Sequence, residues 1–389
     1  MFLSNKKYFL LLCPVYEPYQ SGGAQSFPLI VEALSSKYNP IVLTEFHPKK
    51  NLYEKKQKTI ILRIIPVRDN FGKKSFLYSV FSFLLGYFLI YIVSIGALIF
   101  GVRVFHFTRY CNYLMSPLLI FFRIFKIKII YDCRTEINND QIKQFSFIFK
   151  YCNYLLANSK AAFNSLVKYA SSKVPKKLII NPLRIEIPPP NKNLRIHDMS
   201  IIENQNIVCI GTISERKASL EIVQAFDIAV REISSEYKHD RNQLPKLLFI
   251  GRNDIGKKFI NFIKDLENVE YAGSATHYES LKILRLAHGC INASKSEGIP
   301  RSCLESFFLK KPSLIPSCVP EFRTYCPEVC VSTETEKDFK NLVKLIKILI
   351  LDKSYVLDKN KNYPIKNHNY SNFKSEILRF YSSLSLDKN

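Results

Sequence analysis

Two carboxylates, Glu297 and Glu305, stand eight positions apart in the run 292–316, which reads Asn-Ala-Ser-Lys-Ser-Glu-Gly-Ile-Pro-Arg-Ser-Cys-Leu-Glu-Ser-Phe-Phe-Leu-Lys-Lys-Pro-Ser-Leu-Ile-Pro. Gly298 and Pro300 follow the first carboxylate, and an apolar-periodic run, 302–310, follows those. A proline in a helix's first turn sacrifices no bond, because its missing N–H would be unpaired there. The run therefore predicts a strand over 289–292, a loop carrying Glu297, a helix starting near Ile299 or Pro300 with Glu305 inside it, and a strand over 313–316. A helix N-terminus offers N–H groups and a positive dipole end to a phosphate. Gly298 permits a ligand to approach the backbone closely. A diphosphate flanked by two hydroxyl-bearing rings fits this layout, with the phosphates at the helix start and one Glu for each ring.

Ser-Glu-Gly-Ile-Pro-Arg-Ser-Cys-Leu-Glu, residues 296–305, resembles the E-x7-E element of the family 4 retaining glycosyltransferases (glycosyl transferases group 1). The resemblance implies a GT-B fold, with Glu297 facing the donor sugar and Glu305 on the donor's ribose hydroxyls. It extends, more loosely, to most of the chain. The family has Gly-Arg … Lys-Gly near the start of its second domain, with the Arg and Lys on the donor diphosphate. Here Gly211 and Lys217 match, Thr212 replaces the Arg, and Ala218 replaces the second Gly. Lys217 is the diphosphate cation this implies, with Arg216 as a substitute for the missing Arg. Gly22-Gly23 after the first strand matches the family's Gly-rich loop near the donor phosphate and the acceptor. Many family members carry a His where this chain has Arg134; this chain resembles a subset with Tyr-Asp-x-Arg.

The elements that must position these residues alternate. In the first half, strands are expected at 8–13, 40–44, 59–66, 102–107 and 128–131, and 153–159 resembles the family's strand before a helix, with Asn158 and Ser159 as caps. His106 ends one strand and Arg134 follows another, and carboxyl ends of strands are where open α/β sheets bind ligands. An Arg there can clamp a phosphate bidentately. In the second half, strands at 206–211, 246–251, 269–272 and 289–292 alternate with helices over 219–233, 255–266 and 278–287. Arg252, in the loop after 246–251, faces the donor side in this scheme. The alternation predicts an α/β chain of two doubly wound Rossmann-like domains, and the resemblance implies that they are of GT-B type, with an interdomain cleft. The expected divisions are 1–185, a proline-stiffened linker over 186–205, 206–365 and a final helix in 366–389, which the resemblance implies packs back on the first domain.

At 389 residues the chain exceeds one comfortable core, consistent with two domains. Ten Cys are scattered without a C-x2-C pair, and Cys326 and Cys330 have no His nearby to complete a metal set. They read as reduced core thiols. Residues 1–190 hold 26 basic and 9 acidic residues, +17, and the rest hold 30 and 24, +6, which sums to the overall +23. Such a surface suits an anionic membrane face, nucleic acid or phosphorylated ligands. No nucleic-acid-binding motif accompanies it.

Residues 75–102 carry no charge between Lys74 and Arg103. At 28 residues the segment is long enough to span a bilayer. The strands on either side should share one parallel sheet, which argues against a span. Ser75, Ser79, Ser82 and Gly86 recur at helical spacing and suggest a packing face. One or two helices, partly buried in the domain and partly in the lipid interface, are expected, with burial wholly inside the protein as the alternative.

The chemistry that follows is sugar transfer from a nucleotide-sugar donor to a glycan acceptor, with retention of configuration implied by the resemblance alone. No cofactor is expected, and no metal, since Asp-x-Asp is absent. An acceptor linked to lipid, as in bacterial surface polysaccharide assembly, suits the basic, apolar first half, and places the protein on the inner face of the cytoplasmic membrane. An epimerase or phosphorylase on the same fold, or a non-catalytic anion-binding or nucleic-acid-binding protein, are the other readings.

Overall fold

A computed structural model of the chain describes residues 7–17, 22–66, 76–110, 112–137, 141–185, 206–237 and 243–384. The expected linker over 186–205 lies outside them. The chain divides into two compact units, Met1–Pro182 with His368–Asn389, and Leu183–Asn367. Each is built around a parallel sheet.

In the first unit the strands are β1 (Tyr8–Leu12), β2 (Asn39–Glu45), β3 (Tyr53–Lys56), β4 (Thr59–Ile65), β5 (Val102–Phe107), β6 (Lys128–Cys133), β7 (Tyr154–Ala157) and β8 (Lys176–Leu178). Their order across the sheet is β3-β4-β2-β1-β5-β6-β7-β8. Only β3 runs antiparallel to its neighbour, β4. β1 lies between β2 and β5, with Leu10 opposite both Ile41 and Phe105. Alternate β1 residues enter different cores. Leu10 and Leu12 join Tyr87, Ile90, Leu118 and Phe149 on one face. Phe9 and Leu11 join Phe27, Ile30, Phe380 and Tyr381 on the other. A strand covered on both faces needs apolar side chains at every position, so β1 reads as a continuous apolar run.

The apolar segment forms one helix, Phe76–Ile99. It is the crossover between β4 and β5, parallel strands of one sheet. Gly86 is on its packing face: a Cβ there would meet Ile65 Cγ2 and Pro66 Cδ, each at 3.6 Å. Ser75 lies outside the described residues. Ser159, not Asn158, caps helix Lys160–Tyr169, accepting a hydrogen bond from the Ala162 N–H. The last helix, Tyr370–Ser382, belongs to the first unit and packs Phe373, Ile377 and Tyr381 into the core that holds Phe9.

The second unit has β9 (Ile207–Ile210), β10 (Leu247–Ile250), β11 (Val269–Tyr271), β12 (Gly289–Ile291), β13 (Ser313–Pro316) and β14 (Cys330–Val331). Their order is β11-β10-β9-β12-β13-β14, all parallel. Ile207 and Phe249 face one core with helices Ser219–Tyr237 and Glu336–Leu351, while Val208 and Leu248 face another with helix His277–Leu286. Reciprocal Thr–Glu and Thr–Asp capping boxes, Thr276 with Glu279 and Thr335 with Asp338, fix the starts of two of these helices.

Candidate functional site

From β9 the chain moves outward through β10 to β11, and from β12 it moves the other way through β13 to β14. The sheet order therefore reverses between β9 and β12. Loops leaving the carboxyl ends of two such strands diverge, and the space between them is where doubly wound sheets bind ligands. Gly211–Ala218 leaves β9, and 292–300 leaves β12. Both hold residues singled out from the sequence.

The loop after β9 begins with Gly211 at φ 138° and closes with Ala218 in the left-handed region at φ 53°. Between them, a single tight turn, Glu215–Lys217, places two cations side by side. Gly251, at the end of β10, has φ 149°, and a Cβ there would sit 1.9 Å from the Gly211 carbonyl oxygen. The two glycines thus let neighbouring strand ends pass at backbone distance. The Gly211 N–H donates to the Ile250 carbonyl at 2.9 Å, and the Ile213 N–H to the Arg252 carbonyl at 2.8 Å. A small recess behind the turn is lined by Gly211, Thr212, Lys217, Ser219 and Asn292.

The loop after β12 is tied to this turn. The Lys295 N–H donates to the Arg216 carbonyl at 2.9 Å. Glu297 Oε1 lies 2.5 Å from Lys217 Nζ and 2.6 Å from an Arg216 guanidinium nitrogen, which also donates to the Ser296 carbonyl at 2.7 Å. Burial alone would raise the Glu297 carboxyl, but Lys217 and Arg216 outweigh it and hold the carboxyl below its ordinary value. Two cations against one carboxylate leave a local surplus of one positive charge. Gly298 and Pro300 are buried and Ile299 is half-buried.

The helix starts at Arg301, not at Ile299 or Pro300. Pro300 has ψ 126° and so is still extended, acting as the N-cap. Proline has no side-chain acceptor for this role, so the N-cap residue itself makes no side-chain cap. The first turn also carries no acidic residue. A helix end with uncapped N–H groups and a positive dipole end favours an anion. One turn inside, the Glu305 side chain is only 5% exposed and meets His277 Nε2 at 2.8 Å and Arg301 Nε at 3.3 Å. One Arg301 guanidinium nitrogen, Nη1, is buried without a hydrogen-bond partner among the described residues. His277 and Arg301 were not among the residues the sequence pointed to. The Thr276–Glu279 box marks His277 as the first residue of its helix, but nothing in the spacing says that it reaches Glu305.

Other expected residues have different surroundings. Arg252 is well exposed and closed on Asp254 at 2.7 Å. Thr212 contributes to the recess but brings no charge. Gly22 and Gly23 are not in a loop: they begin helix Gly22–Ser35, and residues 18–21 before them lie outside the described ones. In the first unit, His106 is fully buried. Its Nδ1 is 2.7 Å from the Tyr381 hydroxyl, and its Nε2 faces Asp132 at 3.6 Å, too far for a hydrogen bond. It is a core histidine between sheet and last helix. Arg134 closes its fork on Asp132 Oδ2 with contacts of 2.8 and 2.6 Å, and lies over the Phe27 ring at 4.5 Å. Burial works against the Asp132 carboxylate, and Arg134 with His106 reverses this, so its carboxyl stays below the usual value. The bidentate capacity expected for a phosphate is engaged within the protein.

Two predominantly parallel sheets, each with helices on both faces and a reversal in strand order, define the GT-B fold. Solved structures share it along nearly the full chain. Sucrose-phosphate synthase from Thermosynechococcus elongatus superposes with a TM-score of 0.74 at 14% identity, covering 98% of this chain and 100% of that one. Anabaena HepE, in complex with UDP and glucose, gives 0.66 at 13% identity, covering 97% and 100%. A glycosyltransferase from Rickettsia africae gives 0.63 at 16% identity, covering 99% and 100%. No protein-family model matches the chain, and no curated protein matches it.

Proposed function

We propose that the chain is a glycosyltransferase that moves a sugar from a nucleoside-diphosphate donor to a glycan acceptor, with the donor held by the second unit. One observation carries this reading. Lys217, Arg216 and an uncapped helix terminus converge around Glu297 at the switch point, and Glu305 stands one turn inside the same helix. The surplus charge and the helix N–H groups suit a diphosphate. Charge developing on a leaving group is where such fixed donors help most. In this reading no resident metal is needed, because protein cations and backbone amides meet that charge. Glu305 accepts from the ribose hydroxyls and Glu297 faces the sugar. UDP is the nucleotide to test first, because HepE holds UDP with glucose.

The finer parts rest on the resemblance of residues 296–305 to the family 4 retaining enzymes, which supports transfer with retention. A lipid-linked glycan of bacterial surface polysaccharide assembly is the acceptor class proposed, made on the inner face of the cytoplasmic membrane. The basic first half and its apolar helix support it.

The test is turnover of a panel of nucleotide sugars with and without lipid-linked acceptor. Release of the nucleoside diphosphate is expected to require the acceptor and to fall by about tenfold or more in Lys217→Ala, through loss of a charge-assisted bond. Conversion of the donor into its epimer without acceptor, or undiminished turnover in the variant, contradicts the proposal.

A further inference from the structure

Helix Phe76–Ile99 is apolar on every side, yet only one side is covered. Its inner face buries Gly86, Tyr87, Ile90, Ser94 and Ala97 over the sheet. On the opposite side Phe81, Leu84, Phe88, Ile92, Ile95 and Ile99 are between 43% and 82% exposed. These six follow one another at intervals of three or four, so they form a single stripe, about 27 Å long at the usual rise. No described residue packs over it.

A second stripe adjoins the first. Tyr113, Pro117, Ile120 and Ile124, again three or four apart, are exposed along the tight turn Tyr113–Met115 and helix Ser116–Ile124. Tyr91, on the first helix, donates its hydroxyl hydrogen to the Leu114 carbonyl and so joins the two elements. Both helices bury their inner residues in the same core, on the same face of the sheet. Two adjoining, uncovered apolar helix faces are far more than the scattered apolar residues of an ordinary soluble surface.

Charge chooses the occupant. Residues 76–131 contain no Asp or Glu but hold Arg103, Arg109, Arg123, Lys126 and Lys128. Arg103, Arg123 and Lys126 are exposed, the last two at the end of the second stripe. A second copy of this chain would bring the same positive charges face to face. A lipid surface with anionic headgroups accepts the apolar stripes and attracts the bases around them. The helix does not cross that surface, because its two ends feed neighbouring parts of one parallel sheet and its inner face is occupied by protein.

We infer that helices Phe76–Ile99 and Ser116–Ile124 form one docking face that seats the first unit on an anionic bilayer, with the outer stripe in the interface. The inference concerns the first unit alone and does not depend on sugar transfer.

The test is sedimentation with vesicles, without nucleotide. Wild-type protein is expected to partition onto mixed phosphatidylcholine–phosphatidylglycerol vesicles and to leave pure phosphatidylcholine vesicles largely unbound. The double variant Phe88→Glu/Ile92→Glu is expected to lose about tenfold or more of that partition. Arg123→Ala/Lys126→Ala should lose part of it and become less sensitive to salt. All four positions are exposed, so unchanged thermal unfolding serves as the folding control. Equal partition of wild type and the glutamate variant overturns the inference, as does failure of wild type to bind at low salt. So does a wild-type dimer, seen by sedimentation velocity, that the glutamate variant abolishes while vesicle binding is absent.

Discussion

Glu305 is a buried carboxylate paired with the Arg301 guanidinium, with His277 Nε2 2.8 Å away. Glu305→Gln keeps the shape and removes the charge, so a ribose hydroxyl loses a charged acceptor. Nucleotide affinity is expected to fall by on the order of 1.5–3 kcal/mol, measured by titration calorimetry. Glu297 makes a prediction of a different kind. Its carboxyl lies below the ordinary 4.5 in the folded chain because of Lys217 and Arg216. The unfolded state therefore binds more protons in that range, and the stability the cluster contributes is present above the ordinary value and lost as pH falls through the folded one. In urea titrations, the gap between wild type and Glu297→Gln should hold near neutrality and close in acid, below about pH 4.5. A gap independent of pH would remove the ion pair from the account. At this scale the sequence made Glu297, Glu305 and Lys217 visible, because each sits in a local pattern. His277 was not visible, since its partner is 28 residues away and only the fold joins them. Arg134 was visible for its chemistry, but its pairing with Asp132 and packing on Phe27 were not.

The loop after β9 depends on two strand ends passing at backbone contact. Gly251→Ala places a methyl group 1.9 Å from the Gly211 carbonyl oxygen, at a φ of 149°. Clash and backbone strain together should cost about 3 kcal/mol or more in the second unit's unfolding, and nucleotide binding should fail with it. Gly96→Ala is the opposite case. Nothing lies within 4 Å of its added Cβ, and it is inside a helix. That change should stabilise the first unit by roughly 0.5–1 kcal/mol in the same assay. The inner parallel strands were readable because burial on both faces demands continuous apolar runs, as in β1 and β10. Edge strands obey no such demand. β3, Tyr-Glu-Lys-Lys, is largely exposed and charged, and its pairing with β4 could not be read from pattern. The start of helix Arg301–Phe308 was misplaced by one or two residues because a proline can stand at the N-cap as well as in the first turn.

Across the whole molecule the two units have separate cores, and each of the candidate surfaces belongs to one of them. Ligand binding should therefore register locally. With nucleotide at about 100 times its dissociation constant, a unit that binds it gains about 2.7 kcal/mol. Amide hydrogen exchange is expected to slow in 211–218 and 292–305, while β1 to β8 keep their rates. Uniform slowing across both sheets would contradict a site confined to the second unit. The charge imbalance between the halves was fully legible in composition. Its concentration beside two uncovered helix faces required the fold, because it depends on which helix side meets the sheet.

The most direct measurement is calorimetric titration of the folded protein with UDP and the other nucleoside diphosphates, repeated on Glu305→Gln and Lys217→Ala. The account predicts saturable binding of one nucleoside diphosphate, weakened in both variants while the proteins remain folded. No binding of any nucleoside diphosphate, or equal binding by wild type and both variants, would contradict it.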